Sequence, residues 1–448
     1  MILQTIISQG YSLQHQKDFS LLYIDTKGDG SELKALDPFF TYSVGYNAYD
    51  NHWYIAMGTT GGAPNNRATE VYKINSSLEV VQSYVIPLDT SITSSYDIHP
   101  LSVIDFDSFG NFYLSRELGK NSIELSDGHG TNLLLYKTTI QGDLSSLTIL
   151  KTINGFYSYP NLWVNSTGIF LTARGNISSI QEDEHIIHRS LDGGINFITK
   201  TVFNTLIGNE GRAYVQKIQN YDTNEIIEIL NIRKNSSKSF EAVYILRSLD
   251  GIIWSNWSGS FKKNIDTGGY ITLAELDANF LVWEKPNNEY SINFEGGVYK
   301  NGKLELLISK SLVADVAVEG NIYQTYEELR LYTYNNGWTY VDLSEIVPKY
   351  YSVWALQRVL QLCWDSENSY IIIIDKTGTK DIVYEYSSSN NFKTYTYSIL
   401  SNLPNSYYFG SHSFNADVNT NRLLCLLDIK GDIYDFNSSA NLLLYSPK

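Results

Sequence analysis

Three observations predict an all-β protein. Almost no stretch of the 448 residues has a helical period, and short runs of Ile, Val, Leu, Tyr and Phe recur between Gly, Asn, Asp and Ser turns. Those runs come in a repeated order, about 50 to 60 residues apart. Two of the turns are near copies, RSLDGGINF around Asp192 and RSLDGIIW around Asp250. Together they predict one β-propeller domain over residues 1–448, with about seven four-stranded blades and six or eight also open.

Residues 1–25 are expected to supply a strand that closes the ring with the C-terminal run, because closure removes exposed edges. One series of runs is apolar and reads as buried on both faces: HWYIAMG at 52, NFYLSR at 111, GIFLTAR at 168, EIIEIL at 225, NFLVWEK at 279, YIIIID at 370 and RLLCLL at 422. A second series follows and ends in polar turns: EVYKINSS at 70, LLYKTT at 134, IIHRSLDGG at 186, VYILRSLDG at 243, GVYKNGK at 297, LRLYTYNNGW at 329, IVYEYSSSNN at 382 and DIYDFNSS at 432. A single blade cannot bury both faces, so a ring of them is the stable solution. The rhythm breaks between 300 and 368, and brief helical exceptions are expected around Ser311 to Val318 and Ser352 to Cys363.

Composition narrows the function. The net charge is −15 and there is no long basic run, which argues against a nucleic-acid or anionic-membrane partner. The four isoleucines Ile371 to Ile374 fall far short of the roughly 20 apolar residues of a membrane span. MILQTIISQGYSLQ lacks the basic start of a secretory signal; with an Asn-, Ser- and Tyr-rich surface, this suggests an extracellular or virion-surface protein that is processed or exported by another route. Cys363 and Cys425 sit in apolar sequence and read as core thiols in neighbouring sheets.

The chemistry concentrates between Tyr96 and Tyr214. This stretch holds His99, Arg116, Lys120, Tyr159, Arg174, Arg212 and Tyr214, an imidazole, phenols and cations suited to gripping an acidic sugar and moving a proton on it. His185 and His188 follow Glu182, Asp183 and Glu184, but positions three apart on a strand face opposite ways, so no metal is expected there. No cofactor fingerprint occurs. Asp105 and Asp107 adjoin a Gly-Asn turn and read as its braces.

Ser190, Asp192, Gly193, Gly194 and Phe197 spell S-x-D-G-G-x-x-F, similar to the Asp box of BNR-repeat propellers; Ser248, Asp250, Gly251 and Trp254 repeat it one residue short. In that family these turns are structural. The order of His99, Asp105-x-Asp107-x-x-Gly110-Asn111, Tyr159-Pro160, Gly168, Arg174-Gly175, the Asp box and Arg212-x-Tyr214 resembles BNR-4 type propellers that include ulvan-type polysaccharide lyases. The resemblance implies β-elimination at a uronic acid. Arg174 would neutralise the carboxylate, His99 and Tyr159 would share the proton transfers, and Arg116, Lys120, Arg212 and Tyr214 would hold the polysaccharide or cell-surface glycan. Where the family pairs its first His with Asn and carries further histidines, this chain has Pro100, Gly119-Lys120 and EIIEILNIR. A non-catalytic glycan- or protein-binding propeller therefore stands as the alternative. A sialidase-like hydrolase ranks third, since it needs an arginine triad and a Tyr/Glu pair. The oligomeric state is left open.

Overall fold

A computed structural model of the chain describes residues 11–18, 35–36, 43–60, 68–87, 102–118, 132–176, 184–204, 211–220, 222–234, 240–259, 261–272, 275–276, 290–318, 321–346, 351–352, 360–364, 369–375, 381–390, 392–403, 408–417, 422–430 and 439–447. They form a β-propeller. The strand β1 (Tyr11–Asp18) comes first, and then sheet B, with β2 (Ala35–Leu36), β3 (Ser43–Asn47), β4 (His52–Thr60), β5 (Ala68–Ile74) and β6 (Val80–Pro87). Sheet C holds β7 (Ser102–Phe106), β8 (Phe112–Leu118), β9 (Asn132–Thr138) and β10 (Leu147–Ile153). Sheet D holds β11 (Phe156–Asn165), β12 (Gly168–Asn176), β13 (Glu184–Ser190) and β14 (Ile198–Asn204). After β15 (Gly211–Lys217), the short β16 (Gln219–Asn220) crosses to the following sheet, and sheet E is completed by β17 (Ile226–Lys234), β18 (Phe240–Ser248), β19 (Ile253–Asn256) and β20 (Lys262–Asn264).

Sheet F contains β16, β21 (Tyr290–Lys300), β22 (Lys303–Val318), β23 (Asn321–Tyr334) and β24 (Trp338–Asp342), with β25 (Tyr351–Ser352) paired to β23. Sheet G is β26 (Leu360–Trp364), β27 (Ser369–Asp375), β28 (Asp381–Ser388) and β29 (Thr396–Leu403). Sheet A brings β30 (Tyr408–Asp417), β31 (Arg422–Lys430) and β32 (Ser439–Pro447) together with β1, which pairs antiparallel to β32.

The first strands of successive sheets touch: β3 with β7, β7 with β11, β11 with β15, β21 with β26, β26 with β30, and β30 back to β3. They line the axis. The two apolar series visible in the sequence are mostly the second and third strands of each sheet, and packing explains their composition. Along β8, Phe112 and Leu114 enter the core between sheets B and C, while Tyr113 enters the core between C and D. Leu134 and Tyr136 of β9 likewise face one way and Leu133 and Leu135 the other. A strand sandwiched on both faces needs apolar residues at every position rather than at alternate ones.

Three expectations are corrected. Uniform four-stranded blades hold for sheets A, C, D and G only, because B and E have five strands and F has six. Ser311 to Val318 is the far end of β22, not a helix; its Val-x-Asp-Val-x-Val composition suits a strand, and β23 pairs with it as far as Val318. Within Ser352 to Cys363, Ser352 and residues 360–363 are strand. The runs at 279 and 432 lie outside the described residues. Cys363 is on β26 and Cys425 on β31, in sheets that touch each other.

Candidate functional site at the start of the axial strands

The ends of three axial strands are tied together. Asp105 Oδ2 accepts the backbone N–H of Val164 at 3.0 Å and Lys217 Nζ at 3.2 Å, and Lys217 also donates to the Leu162 carbonyl at 2.7 Å. Lys217 Nζ lies over the Trp163 ring, 5.1 Å from its centroid. Asp105, Val164 and Lys217 close β7, β11 and β15 respectively, so these strands run in one sense and their beginnings gather at the opposite rim. Asp105 is therefore a bridge between sheets, whereas Asp107 braces its turn by accepting the N–H groups of Phe109 and Asn111 at 3.0 and 2.9 Å.

The site residues expected from the sequence belong to that opposite rim. Tyr159 is near the start of β11, and Arg212 and Tyr214 near the start of β15, where they pair in register with Arg233 and Asn231. His99 and Lys120 lie outside the described residues. Between Ser158, opposite Arg174, and Asn161, opposite Thr172, β11 carries two residues, Tyr159 and Pro160, against the single Ala173. This is a β-bulge, and proline explains its place, because a residue without an N–H cannot complete a ladder.

Arg174 is on the second strand, β12, and is 4% exposed. Phe170, Thr172 and Arg174 share the face of β12 that packs on sheet E, while Ile169, Leu171 and Ala173 face sheet C. Directly across from Arg174 on β13 is His185. His185 Nε2 lies 3.0 Å from Glu228 Oε2 on β17, and Thr172 Oγ1 donates to Glu228 Oε1 at 2.6 Å. Both His185 and Glu228 are buried. This cluster is hard to see in the sequence because Glu228 sits inside the apolar run EIIEIL, 43 residues from its histidine; a carboxylate in a doubly buried strand is the signal that could have found it.

Arg116 is also buried. Its guanidinium donates to Thr69 Oγ1 at 3.4 Å and the Ile86 carbonyl at 3.2 Å, joining sheet C to sheet B. Arg116 and Arg174, both expected at the site, thus enter interfaces between sheets. A cation there needs polar partners, because burial of an unpaired charge is costly.

His188 faces away from His185, as strand alternation requires. Its Nδ1 lies 2.8 Å from Thr199 Oγ1 and its ring meets the edge of Tyr157 at 4.7 Å. Among the described residues, no three His, Cys, Asp or Glu side chains gather as a metal site. Burial lowers the His188 pKa to about 3, and burial together with nearby Glu184 pushes Tyr157 up to about 12. The unfolded imidazole titrates near 6.5, so as pH falls the unfolded chain takes up this proton first. The stability that neutral His188 contributes is whole above about pH 6.5 and is lost progressively toward pH 3. His188→Gln is expected to remove most of one proton, about 1.4 kcal/mol per pH unit, from the slope of unfolding free energy over pH 6 to 4. Urea titrations of both proteins at several pH values measure that difference.

The turns of Asp192 and Asp250 occupy the rim where the axial strands end. Ser190 Oγ donates to Asp192 Oδ1 at 2.7 Å, the Gly194 N–H donates to Ser190 Oγ at 2.8 Å, and the Asn196 N–H donates to Asp192 Oδ1 at 2.9 Å. The bonds from Asn196 and Ser190 hold the Asp192 carboxyl down to about 2. Phe197 packs against the core between sheets C and D. In the second turn the Gly251 N–H donates to Ser248 Oγ at 2.9 Å, Ile253 N–H to Asp250 Oδ1 at 2.9 Å, and buried Trp254 donates its indole N–H to the Gly251 carbonyl at 3.3 Å. Gly251 has φ +67°, and a Cβ there would lie 2.9 Å from Ile187 and 3.0 Å from Phe170, so glycine is required twice over. A third such turn, Ser388, Asn390 and Phe392, uses asparagine for aspartate: Phe392 N–H donates to Ser388 Oγ at 2.8 Å and Thr394 N–H to Asn390 Oδ1 at 3.1 Å.

The chain is similar in fold to an ulvan lyase. A polysaccharide lyase of family PL25 superposes with TM-score 0.58 at 14% identity, covering 88% of this chain and 89% of that one. The same kind of enzyme bound to -[GlcA(1-4)Rha3S]- gives 0.59 at 13% identity over the same shares. No family model and no curated protein matches the chain. At such identities the likeness concerns the fold. Among the described residues, no helix is long and apolar enough to cross a membrane.

Proposed function

We propose that this is a carbohydrate-active propeller that takes an acidic polysaccharide at the rim where the axial strands begin and cleaves it by β-elimination at a uronic acid. The observation that carries this reading is the bulge at Tyr159 and Pro160 in an axial strand, beside the row that holds Arg174. Bulges re-aim side chains, and this one falls at Tyr159, directly after the pairing of Ser158 with Arg174. Arg174 pairs with the C5 carboxylate, which acidifies the C5 proton. His99 and Tyr159 divide the proton transfers: one removes the C5 proton, the C4–C5 double bond forms as the C4–O4 bond breaks, and the other protonates the departing oxygen. Lys120, Arg212 and Tyr214 hold the chain. The ulvan lyase whose structure contains a glucuronate-bearing ligand supports the substrate class by likeness of fold.

Each of the seven sheets is taken as one blade of a single domain, with β1 on β32 as its closure. The Ser190 and Ser248 turns are taken as Asp boxes of BNR type. The charge of −15 fits an extracellular or virion-surface protein with no nucleic-acid partner.

A second reading, recognition of a glycan or protein without turnover, is favoured by the burial of Arg174 and Arg116. Absorbance near 235 nm, where the unsaturated uronate product absorbs, separates the two. A rise on a panel of uronic-acid polysaccharides that vanishes in His99→Ala and Tyr159→Phe supports elimination. A flat trace, with glycan binding intact in both variants, supports recognition alone.

A further inference from the structure

We propose that Glu228 is a positioning residue for Arg174, acting from the neighbouring sheet through Thr172 and His185; this rests on the reading of Arg174 as the carboxylate-binding cation. Glu228 has no exposed surface and stands between Ile226 and Leu230 on a face that otherwise fills the core between sheets D and E. Packing alone would be served as well by an aliphatic residue, since a buried charge loses its hydration and has to be repaid by close partners. Its two oxygens are directed: Oε1 accepts the Thr172 hydroxyl at 2.6 Å and Oε2 lies 3.0 Å from His185 Nε2.

Those two partners are the neighbours of Arg174 on its own face. Thr172 precedes it by two residues on β12, and His185 is its cross-strand partner on β13. The Glu228 carboxylate therefore lies against the patch of sheet D from which Arg174 rises. The patch is stiff, because the Trp254 ring meets His185 edge-on at 5.9 Å and is itself anchored to the Gly251 carbonyl. A carboxyl group fixed in this interface by two directed contacts limits the directions open to the arginine stem rooted between its partners, and so sets the angle of the guanidinium fork, which is what bidentate capture of a carboxylate requires.

The test is a double-mutant cycle of Glu228→Gln and Arg174→Ala, with affinity for a uronate oligosaccharide measured in a Tyr159→Phe background that blocks turnover, together with a crystal structure of Glu228→Gln. Glutamine keeps the shape of the side chain and an acceptor for Thr172. The expected result is about tenfold weaker binding in Glu228→Gln, no further loss when Arg174 is already alanine, and a displaced Arg174 guanidinium in the crystal. Effects that multiply independently, or a guanidinium that stays in place, overturn the proposal. If Arg174→Ala alone leaves binding unchanged, the uronate reading fails, while the guanidinium position in Glu228→Gln still decides whether Glu228 positions Arg174. Should Glu228→Gln not fold, Thr172→Val removes the hydroxyl that holds the carboxylate and is read by the same two measurements.

Discussion

Replacing Arg174 with alanine is expected to lower uronate turnover by about a hundredfold or more, with Arg174→Lys recovering little of it. A guanidinium presents a planar fork that meets both oxygens of a carboxylate and stays charged at any working pH, whereas an ammonium is a point charge without the second bond. Electrostatic contacts to charge that develops in the transition state are worth about 10² to 10³ in rate when one donor is lost. Arg174 is 4% exposed, so water competes little for it. The same burial means that alanine also costs stability, because it empties packed space in the interface between sheets. Arg174→Lys keeps the charge, so its urea midpoint is expected near that of the parent while its turnover stays low. Rates from product absorbance and midpoints from urea unfolding, taken on both variants, separate the two effects. Full activity in Arg174→Ala would remove the arginine from the mechanism.

Trp254→Ala is expected to destabilise the fold by about 3 to 5 kcal/mol, the range for emptying a large aromatic site. The indole is fully buried in the core between sheets D and E, packed with Phe170, Ile187, Leu230 and Leu246. It also closes the Asp250 turn through Gly251 and braces His185. Trp254→Phe keeps most of the volume and loses the N–H bond, so about 1 to 2 kcal/mol is expected. Urea unfolding of the three proteins checks the order. A loss below about 1 kcal/mol for alanine would mean that the interface between these sheets collapses onto the space, which a stiff brace under His185 would not allow.

What is legible in the sequence follows from where the apolar residues are. Second and third strands such as β4, β8, β12 and β17 are buried on two faces and read as continuous runs, so composition alone locates them, and the same composition marks β27 and β31. Asp192 and Asp250 are legible because their bonds are local, spanning two to four residues. Asn390 performs the same task with an amide oxygen, and without an aspartate its turn does not spell the motif. The axial strands are less legible, since one side lies toward the axis and their sequences, such as YSYPNLWVN and GRAYVQK, are mixed. Pairings between sheets are hidden altogether: Lys217 meets Asp105 112 residues away, and Arg189 meets Asp266 77 residues away, through contacts that only ring geometry creates. The chemistry of the Arg174 region lies in that hidden class. Its neighbours Thr172 and His185 are set by register, and Glu228 by the packing of one sheet on the next.

A crystal structure with a bound uronate oligosaccharide tests the central claim most directly. The account predicts the sugar at the rim where β7, β11 and β15 begin, with a carboxylate against Arg174 and the ring beside Tyr159. Sugar at the opposite rim, among the turns of Asp107, Asp192 and Asp250, would contradict it.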